Sequence, residues 1–122
     1  MTSIAGVQLE WRADGAIAAL AGEVDAANAR QLGVELRAPL TNRSAGLIVD
    51  LTGLRYLDSA GINLLFALGD ELRWRQQTLR LVVAETTPTA RMLAITGLDR
   101  VQPTHHTVAD ALAAARRSSS AQ

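Results

Sequence analysis

The chain contains neither cysteine nor lysine, and only four of its 122 residues are aromatic. The absence of cysteine excludes disulfide bonds, thiol catalysis and cysteine-ligated metal. The scarcity of aromatic residues means that the core is built from Leu, Val, Ile and Ala. The chain also lacks an 18-residue apolar run and a basic segment followed by an apolar one, which are the patterns of a membrane span and of a signal peptide. We therefore expect a soluble cytoplasmic protein.

An excess of charge of either sign is missing as well. Lys and Arg together number 12, as do Asp and Glu, so the formal net charge is zero. Without a net positive field, binding to nucleic acid or to a membrane surface is disfavoured. The length suits a single domain, to which we assign residues 1–117. The small polar tail at 118–122 is predicted to be disordered.

The hydrophobic pattern predicts an α/β domain with a mostly parallel sheet, an N-terminal β-hairpin and about four helices. Asp14-Gly15 is predicted to form the hairpin turn, and Pro39 to end the first helix. Gly97 is predicted to close the third helix. The predicted strands cover residues 7–12, 16–22, 46–51 and 78–84, with a last one beginning at Val101; helices follow Asp25, Ser59, Thr87 and Thr107.

The helix after Ser59 is amphipathic at about 100° per residue. One side is predicted to cover the sheet, and its members are Ile62, Leu65, Phe66, Gly69 and Leu72. The opposite side carries Asn63, Ala67, Asp70 and Trp74. We expect Trp74 to lie over neighbouring side chains at the helix end, with contact to a partner protein as the less favoured alternative.

Acidic and hydroxyl side chains follow two predicted strands. Asp25 comes after the second strand, and Asp58 and Ser59 come after the third. In parallel sheets the carboxyl ends of the strands form the functional edge, so these groups meet if the strands are neighbours. Capping of helices by Asp and Ser explains each residue separately. The small Ala60 and Gly61 that follow, however, are expected to leave the hydroxyl and the backbone N–H groups open to a partner.

Three segments resemble the anti-sigma factor antagonists of the STAS domain family over roughly residues 7–115. They are AGEVDAANARQL, LIVDLTGLRYLDSAGINLL and LRLVVAETTPTARMLAITGLDRV. The family carries a G-E-[LIVF]-D segment before its first helix and D-S-[STA]-G at the start of its second. Each motif is weak alone, but together and in this order they are specific.

The resemblance implies a partner switch. The unphosphorylated protein binds an anti-sigma factor with serine kinase activity and so frees a sigma factor, and phosphorylation at Ser59 releases it. Ala60 stands where many relatives have Ser or Thr, which leaves Ser59 as the one hydroxyl of the motif. The expected partner-binding residues are Asp25, Asp58, Ser59, Ala60, Gly61, Asn63 and Ala67. A phosphatase that resets the switch is a further candidate partner, and no cofactor is expected.

Three other functions are alternatives to the switch. A serine hydrolase would need Gly at position 57 of a G-x-S-x-G elbow, and the chain has Leu57. His105 and His106 are expected to be exposed loop residues that suit neither catalysis nor metal. A phospho-acceptor receiver domain would use Asp50, but its acidic pair and its lysine are missing; Asp50 is expected to accept backbone N–H groups at a strand end. The remaining alternative is a STAS adaptor subunit of a transporter or signalling complex.

Overall fold

The computed structural model describes residues 2–12, 17–41 and 45–120. Six strands form one sheet in the order β1-β2-β3-β4-β5-β6. The strands are β1 (Thr2–Ile4), β2 (Val7–Trp11), β3 (Ile17–Val24), β4 (Gly46–Leu57), β5 (Thr78–Val82) and β6 (Thr104–His105). The helices are α1 (Ala29–Arg37), α2 (Ser59–Trp74), α3 (Pro88–Thr96), α4 (Leu98–Val101) and α5 (Val108–Ser120).

The sheet is mixed. β1, β2 and β3 pair antiparallel, whereas β3, β4, β5 and β6 pair parallel. The strands from β3 to β6 run parallel because helices connect the end of each strand to the start of the next one. The predicted α/β class, with an N-terminal hairpin and a mostly parallel sheet, is confirmed. The Asp14-Gly15 turn lies outside the described residues.

The two faces of the sheet are covered unequally. Alternate strand residues such as Leu47, Val49 and Leu81 join the large core that includes residues of α1, α2, α3 and α4. Because side chains alternate across a strand, Ile48 and Val82 point to the other face, where they pack with Ala111 of α5. Most of the apolar burial therefore lies on the face of the sheet that α1, α2, α3 and α4 cover.

β4 extends well beyond the predicted strand at 46–51. Its pairing with β3 shifts register twice, first where Ala19 faces Asp50 but Ala21 faces Gly53. The Asp50 carboxylate stabilises this irregularity, since its Oδ1 accepts from Thr52 N at 3.0 Å and from Thr52 Oγ1 at 2.7 Å. Asp50 thus accepts a backbone N–H as expected, but inside the strand rather than at its end.

Two short elements were not anticipated. β1 is only three residues long and pairs with β2 through the turn at residues 5–6. The prediction that Val101 begins the last strand is wrong, because this residue ends α4. Gly97 closes α3 with a left-handed φ of 80°, as predicted. The fully buried Leu98 then begins another helical turn, α4. β6 begins only at Thr104.

The boundaries of the other helices follow their predicted signals closely. α1 ends before Pro39, and the Thr87 side chain caps α3 by accepting from Ala90 N at 3.1 Å. Thr107 Oγ1 likewise accepts from Asp110 N at 3.0 Å at the start of α5. α5 continues to Ser120, so it includes three residues of the tail that was predicted to be disordered; the domain limits remain a prediction.

The buried side of α2 differs from the predicted one. Ile62, Leu65, Gly69 and Leu72 are buried as expected, and so is Leu68. Phe66 is only partly buried and packs against the margin of the core. Leu68 and Phe66 lie about 160° apart on a helix, so the buried arc is centred nearer Leu65 than the sequence pattern suggested. α2 also contacts α1 and α4, and the pattern of a single helix contains no information about these neighbours.

Candidate functional site

The carboxyl ends of β3 and β4 bring Asp25 and Asp58 side by side. These strands are parallel neighbours, and their last pair is Val24 opposite Leu57, so the next residue of each is an aspartate. Asp58 N donates to Val24 O at 3.2 Å, which joins the two strand ends. The expectation that these strands are adjacent is confirmed. We call Asp25, Asp58 and Ser59 the acidic rim.

Asp58 is the N-cap of α2. Its backbone is extended, and its Oδ1 accepts from Ala60 N at 2.9 Å and from Gly61 N at 3.3 Å. These bonds satisfy two of the N–H groups that the start of a helix leaves without partners. The expectation that small residues leave these N–H groups open to a partner is therefore wrong. The Asp58 carboxylate already holds them.

Ser59 is the first residue of α2 and is exposed. Within the described residues its hydroxyl makes no hydrogen bond, in contrast to Asp58 beside it. The hydroxyl stands at the positive end of a helix of 16 residues, where added negative charge is tolerated. Ser59 is thus accessible to a modifying enzyme, and its side chain is not needed as a cap.

The loop that carries Asp25 is organised by Asn28, which sequence reasoning missed. Asn28 is 2% exposed. Its Oδ1 accepts from Asp25 N at 3.0 Å, while its Nδ2 donates to Ala5 O at 2.7 Å and to Glu23 O at 2.8 Å. One amide therefore joins the acidic rim, the end of β3 and the turn between β1 and β2.

The sequence suggested that Asp25 caps α1, but it does not. α1 begins at Ala29, and the residue in the N-cap position is Asn28, whose side chain makes no capping bond. Asp25 Oδ1 instead accepts from Ala27 N at 2.9 Å, which closes a local turn. An Asn placed directly before the helical pattern was the available signal for Asn28.

The remaining predicted contact residues separate into exposed and buried ones. Asn63 and Ala67 are exposed on α2, one and two turns beyond Ser59, as predicted. Ala60 is partly buried against the core. Gly61 is buried, and a Cβ at this position would collide with Leu57 and approach Val24. Gly61 therefore allows α2 to approach the strand ends; the role of these residues in binding a partner stays a prediction.

Trp74 and the histidines lie away from the acidic rim. Trp74 is 89% exposed, so the expectation that it lies over its neighbours is wrong. The rise of an α-helix puts it about 22 Å from Ser59 along α2. His106 is exposed and pairs with Glu85, Nε2 to Oε1 at 2.9 Å. His105 is not an exposed loop residue as expected: it lies in β6, is partly buried and approaches Arg80.

The described residues lack two features of other classes of protein. No helix in the described ranges combines the length and the apolar character that a membrane crossing requires. Between residues 2 and 120, with 13–16 and 42–44 set aside, no three His, Asp or Glu side chains form a group that could hold a metal ion.

Comparison with known families identifies the class of protein to which this fold and the acidic rim belong. The family model described as "Mlab, STAS domain" matches residues 7–117. The chain therefore belongs to the STAS domain family. The resemblance inferred from the sequence segments is thereby confirmed, as is the prediction that the protein is not an enzyme.

One curated relative is similar over part of its length. BtrV of Bordetella bronchiseptica, described as a candidate anti-sigma factor antagonist, is 37% identical over 75 residues. The aligned region covers 62% of this chain and 63% of BtrV, so the chain spans less than two thirds of this relative.

Solved structures share the fold at lower sequence identity. An anti-sigma factor antagonist from Mycobacterium paratuberculosis superposes with a TM-score of 0.79 at 24% identity, over 95% of this chain and 99% of that one. The antagonist SpoIIAA in its unphosphorylated form gives 0.67 at 21% identity, over 90% and 96% of the two chains. The Bacillus cell fate determinant SpoIIAA in its phosphorylated form gives 0.59 at 21% identity, over 87% and 96%.

Proposed function

We propose that the protein is an anti-sigma factor antagonist controlled by phosphorylation at Ser59. In the unphosphorylated state it binds an anti-sigma factor of the serine kinase type in the cytoplasm, so that a sigma factor is released for transcription. Phosphorylation of Ser59 ends this interaction. The observation that carries the proposal is the exposed, unbonded Ser59 hydroxyl at the start of α2, beside Asp25 and Asp58.

The effect of a phosphoryl group at this position follows from charge. It would add about −1.5 to −2 charges and three acceptor oxygens. The start of a helix tolerates such charge, so the fold need not change. Because Asp58 already occupies the N–H groups of Ala60 and Gly61, the phosphoryl group would project outward and add to two existing carboxylates. A partner that fits the neutral hydroxyl would then meet bulk and a concentrated negative charge.

The relatives support the same interpretation. BtrV and the mycobacterial protein are described as anti-sigma factor antagonists, and SpoIIAA is described in both an unphosphorylated and a phosphorylated form. This chain matches the fold of both SpoIIAA forms. A fold that persists in both states suits a switch that acts on the binding surface.

The test begins with partner capture from the source cell, followed by identification of the bound protein by mass spectrometry. The captured anti-sigma factor and ATP are then incubated with wild type, Ser59→Ala and Ser59→Glu. We expect phosphate on Ser59 of the wild type, binding without phosphorylation for Ser59→Ala, and weakened binding for Ser59→Glu. Ser3→Glu, a change at an exposed serine of β1, serves as the control and should bind as wild type.

Two results would count against the proposal. Transfer of phosphate by the anti-sigma factor to another residue, with none on Ser59, would remove Ser59 from its role. Capture of transporter subunits, with no anti-sigma factor, would favour the alternative that this chain is a STAS adaptor subunit.

A further inference from the structure

Arg80 is a buried cation on β5, next to the edge strand β6 and on the far side of the sheet from β1. It is 9% exposed. Its Nη2 donates to Ser118 Oγ of α5 at 2.9 Å, and its Nη1 lies 3.4 Å from Nε2 of His105 in β6. Among the residues that the structure describes, no carboxylate forms an ion pair with Arg80. A buried guanidinium ordinarily pairs with an anion, because transfer of an unpaired charge out of water is costly.

The surroundings of Arg80 are positively charged. Burial lowers the pKa of Arg80, and the charge of Arg117 lowers it further. The pKa of His105 is lowered mainly by burial and then by Arg80, whereas Asp110 raises it. Arg117 and His106 also lower the pKa of His105. The cluster of Arg80, His105 and Arg117 therefore disfavours further positive charge and favours an anion.

We propose that Ser118 is a phosphorylation site whose phosphoryl group is bound by Arg80 and Arg117. In this reaction the Ser118 hydroxyl attacks the γ-phosphorus of a nucleoside triphosphate held by a serine kinase. An O–P bond forms, the bond to the β-phosphate breaks, the nucleoside diphosphate leaves, and the hydroxyl proton passes to a base of the kinase. The product would place an anion beside the buried guanidinium.

Access and geometry both suit this modification. Ser118 is exposed, so a kinase can reach it, while its Oγ is already within hydrogen-bond distance of Arg80. The guanidinium now donates to a neutral hydroxyl; a phosphate would give it an anionic acceptor, so the contact would become an ion pair as well as a hydrogen bond. The negative end of the α5 dipole opposes the new charge, but that effect is screened by salt at an exposed helix end. The paired guanidinium is buried and is screened less.

The test uses full-length protein with phosphoserine encoded at position 118 and, as a control, at Ser3 on the far edge of the sheet. We expect phosphoserine at 118 to raise the midpoint of thermal unfolding by a few degrees and phosphoserine at 3 to leave it unchanged. NMR titration should find that the pKa of His105 moves from below its ordinary value to above it. The rise of the unfolding midpoint and the shift of the His105 pKa should both be smaller in Arg117→Gln and absent in Arg80→Gln. If Arg80→Gln does not fold, the proposal is tested by the His105 titration and by the comparison of wild type with Arg117→Gln.

A second measurement asks whether the modification occurs. Fragmentation mass spectrometry of the chain isolated from its source cell, during growth and after it stops, should find phosphate on Ser118. An unshifted His105 pKa together with an unchanged unfolding midpoint would overturn the binding of the phosphoryl group by Arg80. Absence of phosphate on Ser118 in both growth phases would overturn the site. Neither outcome affects the proposal for Ser59, which is tested separately by binding to the anti-sigma factor and by phosphorylation of Ser59.

Discussion

At the scale of single residues, Asn28 connects three parts of the chain that meet at the acidic rim. Its amide satisfies Asp25 N, Ala5 O and Glu23 O from a buried position. Asn28→Ala removes these partners, and a buried polar group left unsatisfied costs about 1–3 kcal/mol. We expect a clear loss of unfolding free energy in urea, and weaker anti-sigma binding because the Asp25 loop loses its support. Asn63→Ala on the exposed face of α2 should change stability by less than about 0.5 kcal/mol. Equal losses of unfolding free energy in the two variants would contradict this role for Asn28.

The packing of α2 also rests on individual side chains. Leu68 is fully buried, whereas Phe66 is only partly buried. Leu68→Ala should therefore cost about 2–5 kcal/mol of unfolding free energy, the usual range for a buried leucine. Phe66→Ala should cost less than Leu68→Ala, because part of the Phe66 side chain is still exposed to water in the folded protein. Denaturant unfolding of both variants measures this order, and the reverse order would mean that α2 is rotated from the position described.

At the scale of elements, Asp58 both caps α2 and contributes charge to the acidic rim, and two substitutions separate these roles. Asp58→Ala should lower stability by about 0.5–2 kcal/mol, as loss of an N-cap usually does. Asp58→Asn keeps a good capping residue, so its stability should stay near that of wild type while the charge of the rim falls. Thr87→Ala, which removes the cap of α3, should match the stability loss of Asp58→Ala without affecting anti-sigma binding. If Asp58→Asn is as unstable as Asp58→Ala, the carboxylate charge itself holds the helix.

The helices and strands also show which features of the fold can be predicted from local sequence signals. Apolar runs, Pro39, Thr87 and Gly97 are local features, and the helices and strands they predict are present. The register shifts of β4 and the rotation of α2 depend on neighbouring elements, so no single segment encodes them. Asn28 was missed for the same reason: its partners include Ala5, 23 residues away in the chain. The position of Asp58 beside Asp25 could be predicted because it requires only that two parallel strands be neighbours.

At the scale of the whole molecule, the sheet and its buried core are separate from the surface proposed to bind a partner. Asn63 and Ala67 continue that surface from Ser59 along α2, and both are exposed. Asn63→Arg and Ala67→Arg should leave the thermal midpoint nearly unchanged but weaken anti-sigma binding. Ala94→Arg, on the exposed face of α3, is the matched control and should bind as wild type. If all three variants bind equally, the partner docks on another face.

The most direct test of the switch compares the affinity of the anti-sigma factor for one protein in two states. Wild type is prepared unmodified and stoichiometrically phosphorylated on Ser59, and thermal unfolding of both forms verifies that the fold is retained. Calorimetric titration should find the phosphorylated form bound more weakly by a factor between about 5 and 150, the usual range of such couplings. Removal of the phosphate should restore the original affinity. Equal affinities of the two folded forms would contradict control of the partner by phosphorylation at Ser59.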